Sequence, residues 1–208
     1  MIQGDSDYAR SNALTSKPGL TLEESQEGFD KWATTYDQEC VDAGYSSHLL
    51  TTKYLCDVIP QDARATSRVL DIGAGSGLVA TKARHAETGS RIYSTNNCVP
   101  SVVIHELNRV VKQDTYDAVT GSGIYAANNY VPCDAIHEMI RVVKPGGYIV
   151  LVARNMLFGP GQPYEHLEPL MGRLERDRKW KQVHRDILPS AYFTKLNIDA
   201  IVWVYKKL

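Results

Sequence analysis

Three glycines at alternate positions, Gly73, Gly75 and Gly77, follow directly on the run Val69-Leu-Asp-Ile72. Glycine in such a place lets the chain turn sharply and lets a ligand come up against bare backbone. Leu78 onward reads as a helix, and the first N–H groups of a helix lack partners within it, which suits an acceptor-rich ligand. The dinucleotide pattern G-x-G-x-x-G requires a glycine at its sixth position, and that position is Leu78. Asp71 stands two residues before the loop. A carboxylate there can accept a hydrogen bond from an amino group, whereas a pyrophosphate would gain nothing from it.

The elements that must hold this loop can be read from apolar spacing. Arg68 to Ile72 has the length and composition of a buried strand. Leu78 to Ala86 is expected to be helical, Tyr116 to Thr120 a strand, Pro132 to Val143 an amphipathic helix and Tyr148 to Ala153 another strand. A charged helix is expected over Tyr164 to Lys181, with closing strands at Ala191–Phe193 and Ile198–Tyr205. Thr21 and Glu24 form a capping box ahead of Phe29, Trp32, Ala33 and Tyr36 at helical spacing. A second helix carries Leu49 to Ile59 and ends at Pro60. Strands that alternate with helices predict a mostly parallel sheet, with ligands at the carboxyl ends of the strands where strand order reverses. Residues 1–20, rich in Ser, Asp, Asn and Gly, read as a flexible tail, and residues 21–208 as one domain.

Composition narrows the partners. The net charge of −1 over 208 residues supplies no global field for nucleic acid or an anionic membrane. No apolar run reaches membrane-spanning length. Cys40, Cys56, Cys98 and Cys133 are scattered, which reads as free thiols in a reducing compartment, with the cytoplasm as the expected location. There is no metal-ligand spacing and no Ser-His-Asp arrangement.

At this point the chain resembles the class I S-adenosylmethionine-dependent methyltransferases. Phe29-Asp-Lys-Trp-Ala-Thr-Thr-Tyr-Asp37 is similar to a signature found upstream of the glycine loop in small-molecule members. Asp114-Thr-Tyr-Asp-Ala-Val119 resembles their fourth-strand motif, and Val142-Val-Lys-Pro-Gly-Gly147 the turn before their fifth strand. Val131-Pro-Cys-Asp-Ala-Ile136 and Asp199-Ala-Ile-Val-Trp-Val-Tyr205 are similar to the methyltransferase-like group of the Williams–Beuren chromosomal region. The resemblance covers about residues 28 to 205. It implies a Rossmann-like α/β sheet with helices on both faces, S-adenosylmethionine as cofactor and a small-molecule methyl acceptor. It implies that Tyr36 points toward the methionine carboxylate, that Asp71, Gly73, Ala74 and Gly75 line the methionine and ribose, and that Gly121 and Ser122 lie beside the sulfonium. Aromatic residues at the spacing of Trp32 and Tyr36 are also ordinary helix packing.

The segment from Gly77 to Asp114 is shorter than the family's pattern, so one strand or helix between residues 87 and 110 is expected to be missing or rearranged. If Arg91–Thr95 and Val102–His105 are both strands, about six residues join them, too few for a parallel crossover. A hairpin, a lost strand and an irregular segment remain open. No acid ends Arg91–Thr95; Asn96 or Asn97 offers a neutral acceptor for the ribose, and Glu106 best matches the acid expected near the adenine. Losing a charged hydrogen bond costs about 1.5–3 kcal/mol. The alternative is therefore a methyltransferase-like protein with weak or altered cofactor binding and impaired turnover. No general base stands out; His105 and His137 are candidates by position alone. Tyr125, Asn128, Asn129 and Tyr130 are either an acceptor pocket or an ordinary loop.

Overall fold

The computed structural model describes residues 7–16, 20–85, 91–94, 111–126 and 131–208. Six strands form one sheet: β1 (Arg68–Ile72), β2 (Arg91–Ser94), β3 (Tyr116–Ser122), β4 (Val143–Arg154), β5 (Trp180–Phe193) and β6 (Ile198–Lys207). Their order is β2-β1-β3-β4-β6-β5. The first four are parallel, and β6 and β5 add on antiparallel. The chain leaves β1 toward β2 and returns on its other side as β3. The order thus reverses between β1 and β3, the crevice where such sheets bind ligands.

Successive strand residues face opposite sides, and both sides are covered, so the central strands are apolar throughout. Leu70, Val119, Ile149 and Leu151 pack on one face with α7 (Ala135–Val142) and α8 (Leu167–Arg176). Val69, Ala118, Val150 and Val152 face the other way. That side is covered by α2 (Leu22–Trp32), α3 (Tyr36–Asp42) and α4 (Ser47–Val58), and the short α5 (Gln61–Arg64) leads from α4 into β1. The fold is thus the Rossmann-like class I methyltransferase architecture that the sequence predicts.

Two of its motifs are structural. Asp117 accepts hydrogen bonds from the Arg68 backbone N–H at 2.8 Å and from Lys144 Nζ at 2.7 Å, tying the amino ends of β1, β3 and β4 together. A Cβ at Gly147 would stand 2.6 Å from the Asp117 carbonyl oxygen, so only glycine lets β4 approach β3 there.

Several expectations are corrected. Residues 7–16, within the expected tail, form a helix, α1 (Asp7–Ser16). Tyr8 is buried, its ring centroid 5.3 Å from Trp32 and 4.6 Å from Phe193. Gly28 sits mid-helix because α1 crosses α2 there: a Cβ would lie 3.0 Å from the Leu14 carbonyl oxygen and 3.2 Å from Thr15 Cγ2. The charged helix stops at Arg176, and Arg178 takes a left-handed φ of 54° that turns the chain into β5. β5 begins at Trp180, earlier than its apolar residues signal, because an edge strand pairs on one side only and exposes Lys181, Val183 and Ile187. Arg91–Ser94 joins the sheet parallel to β1, in register Leu70 with Tyr93. Its proposed partner Val102–His105 lies outside the described residues. The capping box forms, with Thr21 N–H donating to Glu24 Oε2 at 2.7 Å and Glu24 N–H to Thr21 Oγ1 at 3.2 Å. Among the described residues Cys40, Cys56 and Cys133 are free thiols, and no helix is long and apolar enough to cross a membrane.

The α1–α2 crossing generates a test. Gly28→Leu overfills it, a change expected to cost about 1–3 kcal/mol. Tryptic cleavage after Arg10 should accelerate while the sheet stays folded by circular dichroism. Unchanged cleavage would show that α1 does not depend on that close approach.

Candidate active site

β1 delivers Asp71 to the crevice with its side chain fully buried. Thr120, its register partner on β3, donates from Oγ1 to Asp71 Oδ1 at 2.7 Å. Burial raises the carboxyl from 3.8 to about 6, against the smaller opposing effect of the Thr120 hydrogen bond. Gly73, Gly75 and Gly77 all take positive φ, at 63°, 56° and 82°. A side chain there would strain the backbone, which is the local reason for glycine. The turn closes with Gly77 N–H on the Ala74 carbonyl at 2.9 Å, and the helix α6 (Leu78–His85) follows. Ser76 Oγ donates to Asp37 Oδ1 at 2.6 Å, pinning the loop to the first turn of α3.

Two adjoining cavities open on this loop. The smaller, about 40 Å³, is bounded by Asp71, Gly73, Ala74, Gly75, His48 and Ser122, with Tyr36 and Tyr45 at its border with the larger. The larger, about 250 Å³, extends under α1 and α2 to Arg154 at the carboxyl end of β4. Its walls are largely aromatic, with Tyr8, Phe29, Trp32 and Tyr192 among them. Ser122 Oγ lies 2.9 Å from Ser47 Oγ and 3.3 Å from the Tyr45 hydroxyl, so α4 and the loop before it hold the end of β3. His48 is buried, its Nδ1 has no hydrogen-bond partner, and burial lowers its pKa, leaving an uncharged ring beside Asp71.

The structure brings Tyr36, Asp71, Gly73, Ala74, Gly75 and Ser122 onto the smaller cavity. It does not bring Gly121 there. Gly121 faces the core, where a Cβ would stand 2.7 Å from Ile124 Cδ1 and 3.0 Å from Leu151 Cδ2. Tyr125 is fully buried, edge-on to Tyr164 at 4.9 Å, so it belongs to the core and not to an acceptor pocket. His137 is exposed on α7 and lines neither cavity. Trp32 both packs and lines the larger cavity, its Nε1 donating to Glu39 Oε2 at 2.8 Å. Asn97, Glu106, Asn96, His105, Asn128, Asn129 and Tyr130 lie outside the described residues.

Sequence reasoning missed His48, Tyr8, Tyr192 and Arg154. Tyr8, Asn12 and Thr15 recur at helical spacing, a signal hidden by their polarity. Arg154 had a plainer signal, as a charge directly after the apolar run from Tyr148 to Ala153.

Neither a family model nor a curated protein sequence matches the chain. Solved structures do match in fold. One is a chain of the Haloferax volcanii complex between the Trm112 methyltransferase activator and a methyltransferase, at 14% identity and TM-score 0.57, covering 86% of this chain and 97% of that one. Another is the Burkholderia thailandensis 1,6-didemethyltoxoflavin-N1-methyltransferase, at 13% and 0.56, covering 100% and 92%, respectively. A third is a SAM-dependent methyltransferase from Aquifex aeolicus, at 12% and 0.53, covering 86% and 98%, respectively. At these identities the likeness is one of fold.

The buried Asp71 carboxyl has a measurable consequence. A group whose folded pKa is raised stabilises below its unfolded pKa and loses that contribution as pH rises through the folded value. The window here runs from 3.8 to about 6. Relative to Asp71→Asn, the wild type should gain about 1 kcal/mol in urea unfolding between pH 7 and pH 5. A difference that does not change with pH would show that Asp71 titrates normally.

Proposed function

We propose that this chain is an S-adenosylmethionine-dependent methyltransferase acting on a small-molecule acceptor. The observation that carries the reading is the junction at the end of β1, where a buried carboxylate and a positive-φ glycine loop open together on a cavity beside Ser122. The methyltransferase fold of the matched structures supports it. The Burkholderia thailandensis structure holds S-adenosylhomocysteine and its acceptor together, so this architecture accommodates such a pair.

The residues present fit the methionine half of the cofactor. Asp71 offers a carboxylate to the ammonium group. The bare loop at Gly73, Ala74 and Gly75 leaves room for close approach, with open space where a Gly75 side chain would stand. The uncharged His48 ring has a buried nitrogen without a partner, as expected beside a polar ligand. Tyr36 and Ser122 complete that wall. Asn97 and Glu106 are proposed for the ribose and adenine.

When bound, the cofactor supplies a methyl group on a sulfonium, which passes to an acceptor lone pair as the sulfur–carbon bond breaks and its electrons return to sulfur. The chain's own part is positioning. Its larger cavity adjoins the smaller at Tyr36, Tyr45, Gly73 and Ser122, so an acceptor held there faces the methionine half. Holding two reactants in line accounts for much of the acceleration such transfers need. The closer likeness to the Williams–Beuren-region group rests on residues 131–136 and 199–205. Val131, Ile136 and Ala200–Tyr205 are core residues, so this likeness speaks for shared packing rather than for a shared acceptor.

Calorimetric titration tests the reading, with S-adenosylmethionine and S-adenosylhomocysteine as ligands and NAD as control. Sub-millimolar binding of the first two and none of NAD is expected. Affinity for S-adenosylmethionine should fall below pH 6, by up to about tenfold per unit, as Asp71 takes up a proton. Gly75→Ala should remove binding from a folded protein, because it places a methyl group in the cleft and strains a φ of 56°. No heat at millimolar ligand would overturn cofactor use.

A further inference from the structure

Arg154 is the buried charge that the proposed cofactor site does not use. It is 7% exposed, at the end of a strand in the middle of the sheet. Its Nε has no hydrogen-bond partner, and no carboxylate among the described residues pairs with it. The Tyr192 ring lies 5.9 Å from its guanidinium carbon. The phenols around it do not balance the charge, because burial holds Tyr8, Tyr36, Tyr45 and Tyr192 above their ordinary pKa and hence neutral. An unpaired buried charge is costly, and proteins retain one where a ligand completes it.

The geometry says where that ligand lies. Ser122 pairs with Val152 in the parallel register of β3 and β4. Arg154 is two residues further along β4, about 7 Å beyond the Ser122 level at the strand rise. It therefore lies on the larger cavity beyond Ser122, and it does not line the smaller one that holds Asp71 and His48. Among the described residues lining that cavity there is no acid, and Arg154 is the one cation. The same cavity is walled by the rings of Tyr8, Phe29, Trp32 and Tyr192 and by the Ser122 side chain. A guanidinium recognises carboxylate and phosphate alike. A guanidinium with neither a lysine nor a second arginine beside it among the described residues matches a single negative charge better than a double one.

We propose that Arg154 binds the carboxylate of the acceptor, which makes the acceptor a small aromatic or apolar carboxylic acid whose frame packs among Tyr8, Trp32 and Tyr192. The inference rests on the methyltransferase reading for the word acceptor, but the anion site itself does not. One end of the molecule is anchored by charge, and the other end, carrying the nucleophile, is directed toward Ser122.

The test is calorimetry on the full chain, with and without saturating S-adenosylhomocysteine. The probes are benzoate, aminobenzoates, hydroxybenzoates and indole-3-acetate, each beside its neutral carboxamide, with inorganic phosphate as the bare anion. At least one acid should bind at least about tenfold more tightly than its amide, the size of one lost charged hydrogen bond. Arg154→Gln should abolish that preference while leaving S-adenosylhomocysteine affinity within about twofold. Arg154→Lys, which keeps the charge, should retain part of the preference, and guards against a Gln variant that fails to fold. Acids and amides binding equally, or no acid binding at millimolar concentration, would overturn the proposal. So would phosphate outcompeting every acid. A tenfold loss of S-adenosylhomocysteine affinity in Arg154→Gln would assign the arginine to the methionine carboxylate instead and equally overturn it. If S-adenosylhomocysteine fails to bind the wild type while acids still bind through Arg154, the anion site stands and the methyltransferase reading falls.

Discussion

The hydrogen bond from Thr120 to Asp71 is the point on which the site depends. It joins β1 and β3 where the strand order reverses, and it lies wholly inside the protein. Burial makes the ionised carboxyl expensive, so its pKa rises to about 6. A chain selected for stability alone would place an apolar residue there, as it does at Leu70 and Ile72 on either side. The ammonium group of the proposed ligand would offset that cost, and Asp71 stands two residues before the open loop that starts at Gly73.

The same reasoning applies at the other end of the crevice with the sign reversed. Asp71 and Arg154 are both buried charges at the carboxyl ends of strands, and each lines a different cavity. The residues that line both cavities are neutral, Tyr36, Tyr45 and Ser122 among them. A low-dielectric cleft with an anion at one end and a cation at the other orients a pair of ligands by charge before any shape is read. The first helices serve this arrangement, with α1 and α2 roofing the cationic end and α3 pinning the glycine loop through Asp37 and Ser76.

Much of the fold was legible because buried strands are short, apolar and bounded by glycine. Asp71, Gly73 and Gly75 were legible because motif and strand coincide there. Three things escaped. α1 has little apolar surface of its own and is held by one tyrosine and a close crossing at Gly28, which composition cannot reveal. The placement of Gly121 turns on strand alternation: Ser122 faces the crevice, so its neighbour must face the core. His48 and Arg154 sit far apart in sequence and meet only through the fold; His48 carries no local pattern, and Arg154 only a charge at the end of an apolar run.

The most direct test of the account is an amide proton–nitrogen correlation spectrum of the labelled protein titrated with S-adenosylhomocysteine. The account predicts shifts concentrated in residues 71–79, at Tyr36, His48 and Ser122, with β5 and α8 unmoved. No shifts at millimolar ligand, or shifts centred away from the glycine loop, would contradict it.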